Sequence, residues 1–263
     1  MLSSTNARLA TARRLTSRKD RRETGRFLAE GAQAVREALL AGAVVEVFAT
    51  AEAMARNADL LAGVSVSEIS PKDAASLSET VTPQGLVAVC TRPGSTADDV
   101  LARAPRLIVV LVEPNDPGNL GTIIRTADAA GADAVVVAGG VDPYNGKAVR
   151  ASAGSLFHLP VLDGAVSDLL VGARAAGMAT LAAAVDGTRS LDELIDDGSL
   201  RGDIVWLFGN EARGLPDSVR SAADETVRIP IYGSAESLNL AAAAAVCLYA
   251  SARAQRPAAE LDS

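Results

Sequence analysis

Apolar and polar positions follow two different rhythms along the chain. In the first third the periodic segments are short. Gly31 to Ala41 carries Ala34, Val35, Ala38 and Leu39 at helical spacing, and Gly42 suits the end of that helix. A β-branched run predicts a strand over 43–49, followed by a helix over 51–61, a strand over 64–69, a short helix over 71–78 and a strand over 86–90. The Pro/Gly/Ser stretch Thr91–Thr96 reads as a linker. A domain boundary is therefore expected near 95, with a small α/β domain over 1–95 and a second domain over 96–263.

Beyond Arg106 the apolar runs are longer and unbroken. Leu107–Val112 and Ala134–Ala138 have no polar face, as expected of strands covered on both sides of a parallel sheet. Between them 120–130 is helical and Gly131 ends it. Strands are predicted over 178–185, 204–208 and 226–229, and an Ala-rich helix over 238–254. The fold class is α/β, with a parallel sheet in the C-terminal domain.

Composition narrows the chemistry. Of 263 residues 49% are hydrophobic, yet there are only four Phe, three Tyr and one Trp, so Ala, Val, Leu and Ile must build the core. No apolar run reaches the roughly 18 residues of a membrane span. The first 26 residues are polar and basic, without the apolar stretch of an export signal, so a soluble, cytoplasmic protein is expected. Two Cys allow at most one bridge, which suits a reducing compartment. The single His158 rules out two-histidine metal sites, and no other ligand cluster suggests a metal. A Ser-His-Asp triad would have to use that same residue. Its apolar setting, Leu156 to Pro160, favours a satisfied, partly buried side chain instead.

The formal net charge is −7, which argues against nucleic acid until it is divided. Arg8, Arg13, Arg14, Arg18, Lys19, Arg21, Arg22 and Arg26 face only Asp20 and Glu23, so residues 1–26 are +6 and the remainder −13. Such an arm can engage phosphates within a Debye length of about 10 Å. It reads equally as a solvated helix face or a loose tail.

Three polar, glycine-bearing segments fall where strands end, the ligand-binding edge of an α/β sheet. The first runs from Asn115 to Arg125. Asn119 is placed to cap the following helix, and Arg125 lies in an otherwise apolar helical stretch, where it needs an anion or a carboxylate unless it snorkels to the surface. This is not G-x-G-x-x-G, and no acid ends the next strand at Ala138-Gly139-Gly140, which argues against a dinucleotide-dependent oxidoreductase. The second segment is Leu207 to Pro216, an apolar strand running into Gly209-Asn210-Glu211. The third is Ile229-Pro230-Ile231 followed by Glu236-Ser237-Leu238-Asn239-Leu240, with Ser237 and Asn239 as candidate cap and site residues. Singly, each reads as a turn as readily as a site.

Together, in this order and spacing, they resemble the SpoU (TrmH-type) family of RNA ribose 2′-O-methyltransferases of the SPOUT superfamily. The resemblance rests on an Asn-x₅-Arg motif at Asn119 and Arg125, Gly-Asn-Glu at Gly209 to Glu211, and Ser-Leu-Asn at Ser237 to Asn239. Gly25 to Gly31 and Pro83 to Val89 are similar to the small substrate-RNA-binding domain that precedes the catalytic domain in many members. The resemblance implies a C-terminal trefoil knot and a homodimer. It implies S-adenosyl-L-methionine held by backbone groups around Leu207, Gly209, Ile229, Pro230 and Leu238, with the loop 184–187 nearby. Arg125 would hold the RNA phosphate and stabilise the forming alkoxide, since a guanidinium is a poor base at neutral pH. Asn119 would orient Arg125 or the ribose, Glu211 would anchor the Arg or a neighbouring backbone, and Ser237 and Asn239 would shape the site. Expected RNA contacts are Arg13, Arg14, Arg18, Lys19, Arg21, Arg22 and Arg150, with Lys147 a further candidate. Ribosomal RNA is the first expectation and transfer RNA the second. A non-catalytic RNA-binding protein would keep the basic arm but need not keep Asn119, Arg125 and Glu211 together.

Overall fold

The computed structural model describes residues 1–256, and the chain divides into two compact units. The first joins Met1–Gly94 with Asp142–His158; the second joins Ser95–Val141 with the described chain from Leu159 on. The break at 94/95 falls in the stretch read as a linker. The excursion over 142–158 has no counterpart in the sequence reading.

In the first unit β1 (Arg26–Glu30), β2 (Val44–Ala49), β3 (Val66–Glu68) and β4 (Leu86–Thr91) form one sheet in the order β1-β4-β2-β3. Strand β1 was not foreseen: its apolar stretch, Phe27-Leu28-Ala29, is too short to show a period, and pairing with β4 decides it. The helix expected over 51–61 stops at Arg56, where the Asn57 side chain bonds back to the Ala53 carbonyl at 2.7 Å.

The basic arm is not a loose tail. It forms helices Ala7–Arg14 and Arg18–Thr24, and Leu9, Ala12 and Leu15 enter a core with Phe48, Ile69, Leu77 and Val87. This corrects the expected role of Arg21, which is 3% exposed. Its Nε donates to Asp142 at 2.7 Å, and its Nη1 donates to the carbonyls of Leu15 and Thr16. A guanidinium so enclosed cannot reach RNA. Arg13 is also turned inward, onto Asp73 at 2.6 Å and Ser76 at 2.8 Å. Arg150 donates to the buried carboxylate of Glu30 at 3.3 Å. Within 142–158, Tyr144 and Phe157 pack on Phe27 with ring centroids 4.8 and 5.8 Å away. His158 is more open than its sequence neighbours suggested: its side chain is 44% exposed, with Nε2 3.2 Å from Glu37 Oε2.

The second unit carries β5 (Leu107–Val112), β6 (Ala134–Ala138), β7 (Val161–Asp163), β8 (Ala179–Ala183), β9 (Arg189–Ser190), β10 (Ile204–Phe208) and β11 (Glu225–Arg228). They lie in the order β7-β6-β5-β10-β8-β11-β9, and every pairing is parallel. Strands β5, β6 and β10 are buried throughout, as their unbroken apolar runs require. The strand expected over 178–185 ends at Ala183, and residues 184–187 turn instead. Helices Pro117–Ala130 and Leu240–Gln255 pack on each other. The buried Trp206 Nε1 on β10 donates to Ser251 Oγ at 2.9 Å, which pins the last helix to the sheet. Among the described residues no helix is long and apolar enough to cross a membrane.

Candidate functional site

The three motif segments meet at the C-terminal ends of β5 and β10, inside the second unit. Directly after β5, Glu113 takes a left-handed conformation with φ of 50°, a costly state for a residue with a Cβ. It is held there from three sides. Its N–H donates to Ala138 O at 2.9 Å, its carbonyl accepts from Asn210 Nδ2 at 2.8 Å, and its carboxylate pairs with Arg213 at 2.8 Å. The chain then opens helix Pro117–Ala130. Its cap is Asp116, which accepts from Asn119 N at 2.9 Å, and not Asn119 as the sequence suggested. Pro117 occupies the first helical position, where its lack of an N–H costs nothing.

Freed from capping, Asn119 links the other two segments. Its Nδ2 donates to Glu211 Oε1 at 3.0 Å, and its Oδ1 accepts from Asn239 Nδ2 at 3.2 Å. Glu211 also accepts from the backbone N–H groups of Asn115 (2.9 Å) and Asp116 (3.1 Å). Partial burial pushes its carboxyl up, but these hydrogen bonds more than offset that and hold it below the usual glutamate range. Glu211 therefore anchors backbone and Asn119, not an arginine. Asn239 caps the last helix through Ala241 N and Ala242 N. Asn210, which the sequence reading left out of the site, closes its own loop by accepting from Ala212 N and Arg213 N. A Cβ on Gly209 would sit 2.2 Å from the Gly214 carbonyl carbon, so only glycine permits this loop.

Arg125 lies on the exposed side of helix Pro117–Ala130 and makes no hydrogen bond or ion pair among the described residues. It reaches the surface, with no carboxylate among the described residues to neutralise it.

Beside this network lies a cavity of about 450 Å³, within the 300–1,000 Å³ usual for small-molecule sites. Gly209, Glu211, Ile229, Ser237 and Leu238 line it, as does the loop over 184–186. Leu207 and Pro230 do not, and neither do Asn119, Arg125 and Asn239. The walls from Phe208, Leu215 and Ile229 are apolar, and the Gly209–Gly214 loop brings backbone to the rim. Apolar walls with polar backbone at one edge suit a nucleoside bearing a sulfonium side chain.

Comparison with known proteins decides the family. Residues 106–249 match the SpoU rRNA Methylase family, and residues 6–88 match the MRM3-like substrate binding domain. The chain belongs to the SpoU family. It is 35% identical over 248 residues to the 23S rRNA (guanosine(2553)-2′-O)-methyltransferase RlmP of Bacillus subtilis, covering 94% of this chain and 96% of that protein. Over 176 residues it is 40% identical to the 23S rRNA (uridine(2479)-2′-O)-methyltransferase of Streptomyces viridochromogenes, covering 65% and 61%. The crystal structure of the SpoU methyltransferase AviRb from Streptomyces viridochromogenes, in complex with AdoMet, aligns with a TM-score of 0.82 at 34% identity. It spans 94% of this chain and 97% of its own. SpoU membership brings with it S-adenosyl-L-methionine as methyl donor and RNA methylation as the reaction.

Proposed function

We propose that this protein transfers the methyl group of S-adenosyl-L-methionine to a ribose 2′-hydroxyl of 23S ribosomal RNA. The observation that carries the reading is the bridge Glu211–Asn119–Asn239, which ties the three motif segments together beside a nucleoside-sized cavity. When bound, the cofactor supplies an electrophilic methyl already activated by its sulfonium, so the protein need only position the acceptor oxygen and let its proton go. Arg125 is suited to hold the adjacent phosphate and stabilise the developing alkoxide, because its guanidinium has no partner of its own among the described residues. Glu211 and Asn119 act beneath it by fixing the start of its helix. Ser237 shapes the cavity's edge, and Asn239 supports it from the bridge to Asn119.

RNA contacts fall in this reading to the exposed Arg14, Arg18, Lys19 and Arg22, supported by the match of their unit to a substrate binding domain. A homodimer through the last helix belongs to the same proposal, supported by Val246 and Tyr249, exposed at 42% and 55% on that helix. So do a C-terminal trefoil threading and a cytoplasmic location, supported by family membership. The two rRNA relatives carry the names of different nucleotides, so the target is left to experiment. Incubating the protein with radiolabelled cofactor and 23S rRNA transcripts, then mapping 2′-O-methyl sites, tests the reading. Label in transfer RNA alone would redirect it, and label in neither would overturn it.

A further inference from the structure

Beyond β8 the chain makes a tight turn, with Gly187 N–H donating to Ala184 O at 3.1 Å. The turn is clamped to β11 at both ends. Ala184 N donates to Val227 O at 2.9 Å, and Thr188 N donates to Thr226 Oγ1 at 3.1 Å. A Cβ on Gly187 would lie 2.5 Å from Arg228 N, so the backbone here is pressed directly onto the neighbouring strand. This fixes the position of Asp186. Across the cavity rim Arg220, from helix Asp217–Ala222, donates through Nη2 to Asp186 Oδ1 at 2.8 Å. Both residues line the cavity.

Other charged groups on the lining are differently placed. Glu211 is committed to three donors and Arg213 to Glu113. Glu236 makes no hydrogen bond or ion pair among the described residues, so nothing orients it. Among the described charged groups of the lining, Asp186 alone combines a fixed backbone with a charged partner on one oxygen. Its side chain stays 71% exposed, with acceptor lone pairs left for a ligand. A carboxylate in that state is an acceptor for two neighbouring hydroxyls. An acid just past a strand end is also how dinucleotide folds hold a ribose.

We propose that the Asp186–Arg220 pair recognises the vicinal ribose hydroxyls of the cofactor's adenosine, with Asp186 accepting from the diol and Arg220 acting as its positioning residue. The proposal rests on the cavity being the cofactor site. The alternative occupant of the pair, the zwitterionic amino-acid end of the cofactor, is separable by ligand choice. Calorimetry on the full-length protein would use S-adenosylhomocysteine, 5′-methylthioadenosine, which lacks the amino-acid end, and the 2′,3′-dideoxy analogue of the latter. Asp186→Asn should weaken the first two alike, by about tenfold to a hundredfold for hydrogen bonds to a charged group. It should leave the dideoxy analogue unchanged. Arg220→Gln should shrink the ratio between diol and dideoxy affinities, a ratio that mere loosening of the fold would not move. Loss confined to S-adenosylhomocysteine would assign the pair to the amino-acid end and overturn the proposal, as would unchanged affinity throughout. A wild-type protein that binds none of the three would overturn the cofactor reading of the cavity itself, and the pair's role with it.

Discussion

Arg125 and Arg21 carry the same guanidinium into opposite settings, and replacing them should have opposite consequences. Arg125 is exposed and unpartnered among the described residues, so Arg125→Ala should leave stability and cofactor affinity near wild type. Methyl transfer should fall by about 100- to 1,000-fold, the usual cost of losing one donor to a developing oxyanion. Single-turnover assays alongside calorimetry read both, and near-normal turnover would remove the catalytic assignment. Arg21→Leu should instead leave Asp142 buried and uncompensated in the first unit. A loss of about 3–5 kcal/mol in denaturant unfolding is expected. The two thiols illustrate the same dependence on setting. Burial pushes Cys90 up to about 12 and raises Cys247 as well, so both should resist alkylation until the protein unfolds.

At the scale of elements, helix Pro117–Ala130 bears on the site because the two residues leading into it, Asn115 and Asp116, donate their N–H groups to Glu211. Asn119 in its first turn donates a third hydrogen bond. Asp116→Ala removes the cap but keeps the Asp116 N–H. It should cost about 1 kcal/mol, measured by urea unfolding, with a smaller effect on turnover than Asn119→Ala, which breaks the bridge between all three segments. The excursion over 142–158 changes what a deletion means. Tyr144, Ala148, Val149 and Leu156 are buried, and their unit is completed by residues 1–94. Removing 1–94 should therefore leave 142–158 open to proteolysis while the parallel sheet remains folded. Limited digestion followed by mass mapping checks this, and a protected 142–158 would contradict it.

For the whole molecule, charge placement governs the response to salt and to acid. The −7 net charge hides an N-terminal cluster of +6, part of which is spent on Glu46, Asp73 and Asp142. RNA binding should weaken with salt, each lost phosphate contact removing roughly 0.7–0.9 from the log–log slope. Charge reversal at Arg18 and Arg22 should flatten that slope, whereas an unchanged slope would assign the cluster to solvated surface. Several carboxyls are held below their ordinary range: Asp73 by Ser70 and Ser4, Asp186 by Arg220, Glu193 by Ser190, and Asp197, at about 2, by Ser199 and Arg189. Groups lowered on folding contribute stability above their unfolded values of about 4. That stability is lost as pH falls through the folded values. The urea midpoint should hold steady down to about pH 5 and then decline toward pH 2; a flat profile over that span would contradict it.

Strands β5, β6 and β10, the helix between the first two and its glycine stop were legible in the sequence, because unbroken apolar runs and left-handed glycines are local signals. The three motifs were legible for the same reason, as short strings with fixed spacing. What joins them was not. Asn119 as a bridge and Glu211 as a backbone anchor depend on hydrogen bonds spanning 92 to 120 positions of chain. Nor did any local property separate buried Arg21 from exposed Arg22 beside it, since the partner that encloses Arg21 lies 121 residues away. Composition and periodicity determined which segments become strands and helices, because backbone geometry and side-chain alternation act over a few residues. Packing alone decided which charges are neutralised, which unit receives 142–158 and which groups line the cavity, because those outcomes depend on distance in space.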